Sequence, residues 1–481
     1  MPALMRLALA LPLAAALVAP RGPSSRPRGR LRQAADEYES TAVDGAFPAD
    51  LEGTLYRLGP GSTLRRGEDR GARDAHGVVC GVTFADGGAV ARSRFVRTEA
   101  YVREQRGYDA GSAGAERNTG SGAALYWAGK LYALTDGCKP YQLDPLSCAT
   151  QKKSELGGLL TNPADGFAAW ATEDGGYLVN AAVEPGLPFI GGDGLVYYEF
   201  DAAFRPRGGG DARAGQARLK LDKGDAVVDI AATASRYLAI VDDGDAVSLL
   251  AAPRGAAAGD ATRCALPGVA PGSRVEVVDA RDASGGVALL AVVAPGPAPA
   301  TGPAATRPFG ALRKIDVADG GAGPATVADA GGDHALGAAR VVGDDVYAAD
   351  LGDGALVKLP LGGGAAARWR CDRGYKAGPA TAAGDYVVAL LHGDGETDVA
   401  VFGDNLAAGP VARAALPGAL PANSLDGPFA ADVAPSMKDL ESSETLARLY
   451  ARKSAEWNEV DGGFSGLGIK SFLFPKGVSG G

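Results

Sequence analysis

Histidine is scarce in this chain of 481 residues: there are three, His76, His334 and His392. The five cysteines, Cys80, Cys138, Cys148, Cys264 and Cys371, are widely spaced and include no CxxC pair. That argues against a thiolate metal site or a disulfide framework and for small buried hydrophobes. Net positive charge is missing too. At a formal charge of −9 the chain lacks the clustered cationic surface that neutralising phosphates requires, which argues against nucleic acid as a partner. After Pro20 no run is apolar enough to span a bilayer, which takes roughly 20 such residues.

What is present is 46% hydrophobic and 22% charged residues, with 71 glycines scattered among apolar runs. Such a chain is globular and long enough for a large core, either as two average domains or as one large all-β body. Glycine without a collagen-like period points to many tight turns.

The first residues, "MPALMRLALALPLAAALVAP", carry one Arg and then an apolar run ending in small residues, the pattern of a signal peptide. Next comes "RGPSSRPRGRLRQAAD", with Arg21, Arg26, Arg28, Arg30 and Arg32 and no acidic residue before Asp36, which is transit-peptide chemistry. The pair resembles the two-part address of algae with complex plastids. Plastid import is therefore expected for segment 1–35, with secretion behind an Arg-rich propeptide as the alternative.

From about residue 36 to 435 short apolar runs alternate with Asp/Gly turns, as in "ATEDGGYLVNA", "YLAIVDDGDAVSLLA" and "VVGDDVYAADLGDGALVKLPL". Strands joined by Asp-Gly or Gly-Gly are the strongest local hairpin signal. So many hairpins with almost no helical periodicity between them favour small antiparallel sheets packed radially, as in a propeller, over a single sandwich. The Pro/Ala-rich stretch 294–308 fits a surface insertion. Segment 436–481 differs. Ser436 and Asp439 read as a helix cap, and Leu446, Leu449, Tyr450, Lys453 and Trp457 follow at helical spacing. A Gly-rich tail with three Phe comes after.

Several motifs point to one family. "FPADLEGTLYRLGPG" (47–61) resembles the "vP.dL.Gt..RnGP" start of the carotenoid oxygenases. "DAHGVVCGVTFADGGAVARSRFVRTEAY" (74–101), "RNTGSGAALYWAGKLYALTDGCKPYQLD" (117–144), "VVDIAATASRYLAIVDD" and "ALPGALPANSLDGPF" are similar, in order, to its later motifs. In the first of these stretches Gly53, Arg57, Gly59 and Pro60 serve the chain's path into the fold. The resemblance implies a seven-bladed β-propeller with a loop and helix cap, iron(II) held on the axis by four His, and oxidative cleavage of a polyene double bond.

Three histidines cannot supply four ligands, and none occurs between His76 and His334, where the family's first three ligands fall. The resemblance puts the first ligand position at Trp170, with Asn162 as the alternative, the second at Val228, beside a retained Asp229, the third at Glu276 and the fourth at Asp426. His76 stands at an acidic position of the family pattern, His392 matches an outer-strand His of some members, and His334 lies on a loop. No iron or other cofactor is expected. A hard-cation site built from Glu276 and Asp426, with Asp229 and Asp279 nearby, would favour Mg, Ca or Mn over iron.

The favoured expectation is a pseudoenzyme that has lost iron-dependent cleavage and binds a carotenoid or apocarotenoid, or serves as a plastid scaffold. The first alternative is altered chemistry in xanthophyll metabolism, such as isomerisation or hydration, with Glu276 and Asp426 as acid and base. The second is docking of segment 436–481 on a pigment-protein complex or as a peripheral membrane contact.

Overall fold

The computed structural model describes residues 37–450 apart from 63, 66–67, 70–73, 108–116, 136, 157–159, 161–165, 173–174, 187–192, 208–216, 255–260, 284–285, 298–308, 319–324, 330–334, 373, 421–426, 437 and 449. The segment 1–35, Asn162, His334, Asp426 and the Phe-rich tail lie outside the described residues.

Antiparallel hairpins follow one another along the chain. Asp86 and Gly87, with φ of 50° and 73°, join the strands His76–Ala85 and Gly88–Phe95. Two consecutive positive φ values make a turn whose twist matches that of the strands it connects. The first sheet has the strand order Tyr38–Val43, Gly88–Phe95, His76–Ala85, Gly53–Ser62 and Phe429–Ala430. The chain's last described strand thus pairs with one of its first, Thr54 opposite Ala430. Gly53 makes that closure feasible: its φ is +131°, and a Cβ would stand 2.7 Å from the Phe429 ring.

Three four-stranded sheets follow, beginning with Ala123–Trp127, Gly166–Thr172 and Ala226–Ala232. An eight-stranded sheet comes next, made of one meander from Arg274–Ala283 and a second from Leu336–Val342, joined through Phe309–Ala318. The last four-stranded sheet starts with Lys376–Ala383.

The leading strands touch in sequence: Gly166–Thr172 meets Ala226–Ala232, which meets Arg274–Ala283, then Leu336–Val342, then Lys376–Ala383, then Phe429–Ala430. Apolar clusters lie between neighbouring sheets. Leu238, Ile240 and Leu249 pack on Val287, Leu289 and Ile315, and Val388, Leu390 and Val399 on Leu55, Val82 and Phe84. Each fully buried Leu, Val or Phe contributes about 1.5–3 kcal/mol, so every sheet depends on both neighbours. This is the radial packing of a propeller, and the all-β expectation holds.

Four of the leading strands also share a device. Register slips between Val227 and Asp229, between Val277 and Asp279, between Gly337 and Arg340 and between Ala377 and Ala380. A bulge bends its strand and re-aims the side chains beside it.

Residues 438–448 form a helix, and its expected cap is present. Ser436 N–H donates to Asp439 Oδ2 at 3.1 Å while Asp439 N–H donates to Ser436 Oγ at 3.3 Å. The buried face is Leu440, Ser443, Glu444 and Ala447, whereas Leu446 is 50% exposed. Leu446, which opens the expected stripe, is therefore off the packed face, and a charged side chain, Glu444, belongs to it; Leu449, Lys453 and Trp457 lie outside the described residues. Cys80, Cys138, Cys148 and Cys264 are buried free thiols and Cys371 is half-buried.

Candidate functional site

Three of the positions that the resemblance assigns to ligands, Trp170, Val228 and Glu276, fall on leading strands. Trp170 lies in Gly166–Thr172, opposite Tyr177. Val228 is the residue passed over at the bulge of Ala226–Ala232, half-buried and packed on the apolar cluster of the next sheet; it has no donor atom to offer a metal. Glu276 lies in Arg274–Ala283 opposite Val292.

Among the described residues, each carboxylate of the expected cation site has a protein partner. Asp229 Oδ1 accepts the Ile230 N–H at 2.8 Å and its Oδ2 accepts the Val277 N–H at 2.7 Å, so this side chain ties two leading strands together. Asp279 pairs with Arg281. Glu276 Oε1 is 3.3 Å from Arg340 Nη1, with Glu276 15% and Arg340 28% exposed. Arg340 Nη1 also donates to the Ala339 carbonyl at 2.6 Å. The structure thus brings Asp229, Glu276 and Arg340 onto three consecutive leading strands. Arg340 was not anticipated, because nothing in "GAARVVGDD" marks it until the bulge after Gly337 brings it beside Glu276.

The two described histidines stand on other sheets. His76 Nε2 is 2.9 Å from Glu104 Oε2, whose other oxygen pairs with Arg117 at 2.9 Å. The His76 ring also meets Tyr101 edge-on. His392 is not on an outer strand as expected. It ends the second strand of the last sheet, Tyr386–His392, and is 5% exposed. Burial pushes its imidazole down to about 4, with the Leu420 backbone opposing and the Arg57 charge adding to the shift.

Among the described residues no three His, Cys, Asp or Glu side chains gather as a metal would need. At the positions that the resemblance assigns to the second and third ligands, the chain has a valine and a carboxylate already paired with a guanidinium, which do not match imidazoles.

The retinal pigment epithelial membrane protein (RPE65) family model matches residues 31–255. The apocarotenoid-15,15'-oxygenase of Synechocystis sp. is 34% identical over 145 residues, 26% of this chain and 29% of that protein. The chloroplastic carotenoid cleavage dioxygenase 7 of Oryza sativa subsp. japonica is 27% identical over 180 residues, 31% of this chain and 29% of the relative. These alignments span under a third of either relative. Similarity of fold extends further. Cobalt-substituted Synechocystis apocarotenoid oxygenase superposes with a TM-score of 0.69 at 20% identity, covering 82% of this chain and 96% of that one. The lignostilbene dioxygenase of Pseudomonas brassicacearum gives 0.67 at 18% identity, with coverages of 82% and 96%. The chain thus has the fold of these oxygenases, and its residues 31–255 are similar to the RPE65 family.

Proposed function

We propose that this protein has lost iron-dependent oxidative cleavage and binds a carotenoid or apocarotenoid within a plastid. The observation that carries the proposal is the Arg340–Glu276 pair at 3.3 Å, at the third ligand position. A cation and a guanidinium compete for the same carboxylate, and Arg, always charged, is the stronger resident where no imidazoles help the metal. The count of three histidines in the whole chain supports the same reading. The small-molecule class follows from the family, whose relatives include an apocarotenoid oxygenase.

Altered acid–base chemistry at Glu276 and Asp426 is the second reading. It is less favoured because a general acid must be free to hold and release a proton, and Glu276 is ion-paired. Docking through 436–481 is narrowed to the tail, since the helix 438–448 packs on this chain's own sheets through Glu444.

The test is elemental analysis of the purified full chain from iron-supplemented cells, with an apocarotenal titration followed by absorbance and product chromatography. The expected result is iron well below one atom per chain, a shifted polyene band and unchanged apocarotenal. Stoichiometric iron, or oxygen-dependent cleavage products, overturns the loss of cleavage. A polyene spectrum unaltered by the protein overturns binding.

A further inference from the structure

Two of the leading-strand bulges meet around a buried imidazole. A cavity of about 30 Å³ is lined by His392 together with Phe309, Ala338, Asp350, Lys376, Gly378 and Pro379. Gly378 and Pro379 are the residues passed over in the bulge of Lys376–Ala383, and Ala338 belongs to the neighbouring bulge of Leu336–Val342. Ala338 has φ of +50°, a left-handed conformation that a residue with a Cβ adopts at a cost. At Gly378 the missing side chain matters: a Cβ there would stand 3.1 Å from His392 Nε2. The glycine keeps the space in front of that nitrogen clear.

A neutral imidazole carries one N–H donor and one acceptor lone pair. Neither ring nitrogen of His392 makes a hydrogen bond of acceptable geometry to the protein. The Leu420 backbone interacts with the ring in the sense that favours its charged form, but a carbonyl serves only a donor nitrogen. The acceptor nitrogen needs an N–H or O–H from elsewhere. Buried polar groups left without such a partner are rare and are commonly satisfied by internal water.

We propose that His392 and the two bulges form an internal hydration site for one or two water molecules, with Nε2 as the accepting nitrogen. The size fits, since a cavity of this kind holds a water from about 10–15 Å³ upward, and a water needs two to four polar partners. Asp350, which lines the same space, offers a second polar contact. A metal is a poorer occupant because no third His, Cys, Asp or Glu joins the pair among the described residues. The site has a structural consequence for the axis. The two bulges it bridges lead into Arg340 and into Pro379, whose carbonyl accepts from Arg57 Nη2 at 2.9 Å. The inference stands on this geometry and does not depend on whether a polyene binds.

The experiment combines oxygen-17 relaxation dispersion, which counts long-lived internal waters, with nitrogen-15 spectra of the histidine-labelled full chain. Wild type should carry one or two more long-lived waters than Gly378→Ala, whose methyl would cap Nε2, and than His392→Phe, which fills the cavity and removes the acceptor. His392 should be neutral at pH 7 with Nε2 unprotonated. The second variant keeps the test decisive if the first fails to fold. Equal water counts in wild type and the folded variants overturn the proposal. So does an Nε2-protonated ring, or stoichiometric shift of the His392 resonances by added zinc ion.

Discussion

His392 illustrates how burial converts a single residue into a pH-dependent element of stability. Its folded value is depressed to about 4 from the ordinary value of 6.5, so between those values the unfolded chain binds more protons than the folded one. Stability therefore rises with pH across that window, and the contribution is flat above it. At pH 5 the wild type should have lost about 2 kcal/mol relative to pH 7 through this group alone. Urea midpoints of wild type and His392→Phe at both pH values check it. The expected outcome is a smaller drop for the variant by that amount, and parallel drops would rule it out. Arg340 and Glu276 show the complementary case, in which two opposite charges are set against each other. Neither is intelligible from its neighbours in sequence, because the bulge that brings Arg340 to Glu276 is a feature of pairing between strands.

At the scale of the element, the C-terminal helix was legible at its start and illegible on its face. The cap at Ser436 and Asp439 is a local motif three residues long in span, so its chemistry is written in adjacent positions. The packed face turns on Glu444, whose Oε1 accepts from Ser40 N–H at 3.0 Å and Ser40 Oγ at 2.8 Å and whose Oε2 pairs with Arg94. Those partners lie 404 and 350 positions away, beyond any periodicity argument. Arg94 is itself held by the Ser147 carbonyl at 2.8 Å, and Ser443 Oγ donates to Asp144 at 2.9 Å. Glu444 is thus the buried tie between the helix and the first sheet, beside the exposed pair of Arg448 with Glu39. Glu444→Ala should cost about 1–3 kcal/mol by leaving buried donors unserved. It should also speed proteolysis after residue 436 in native buffer while the sheets stay intact. A cleavage rate equal to wild type would mean that the helix is held by its other contacts, the Arg448–Glu39 pair, the Ser443–Asp144 bond and its apolar residues.

For the whole molecule, the succession of hairpins was visible in sequence because each Asp-Gly turn and its flanking apolar runs are local, whereas closure and axis are not. The family match over residues 31–255 stops short of Glu276 and Asp426, so the third and fourth ligand positions rested on weaker motifs; the fourth lies outside the described residues. Closure depends on Arg57, which is 1% exposed in the middle of "GTLYRLGP". Its Nη1 donates to the Tyr56 carbonyl at 3.0 Å and to the Gly427 carbonyl at 2.5 Å. Its Nη2 donates to the Pro379 carbonyl at 2.9 Å and to Thr381 Oγ1 at 2.8 Å. One guanidinium therefore clasps the first sheet, the last sheet and the returning chain just ahead of Phe429–Ala430. Gly427 admits this approach, since a Cβ there would stand 2.6 Å from the Tyr56 carbonyl. Hydrogen bonds to a charged donor are worth about 1.5–3 kcal/mol each and are shared among acceptors that water cannot reach. Arg57→Met, which preserves much of the apolar volume, should lower unfolding stability by about 3 kcal/mol or more. Hydrogen exchange should accelerate together in Gly53–Ser62, Lys376–Ala383 and Phe429–Ala430, because opening the clasp frees both sides of the closure. Acceleration confined to Gly53–Ser62 would instead assign Arg57 a local role and leave closure to the apolar cluster between the first and last sheets.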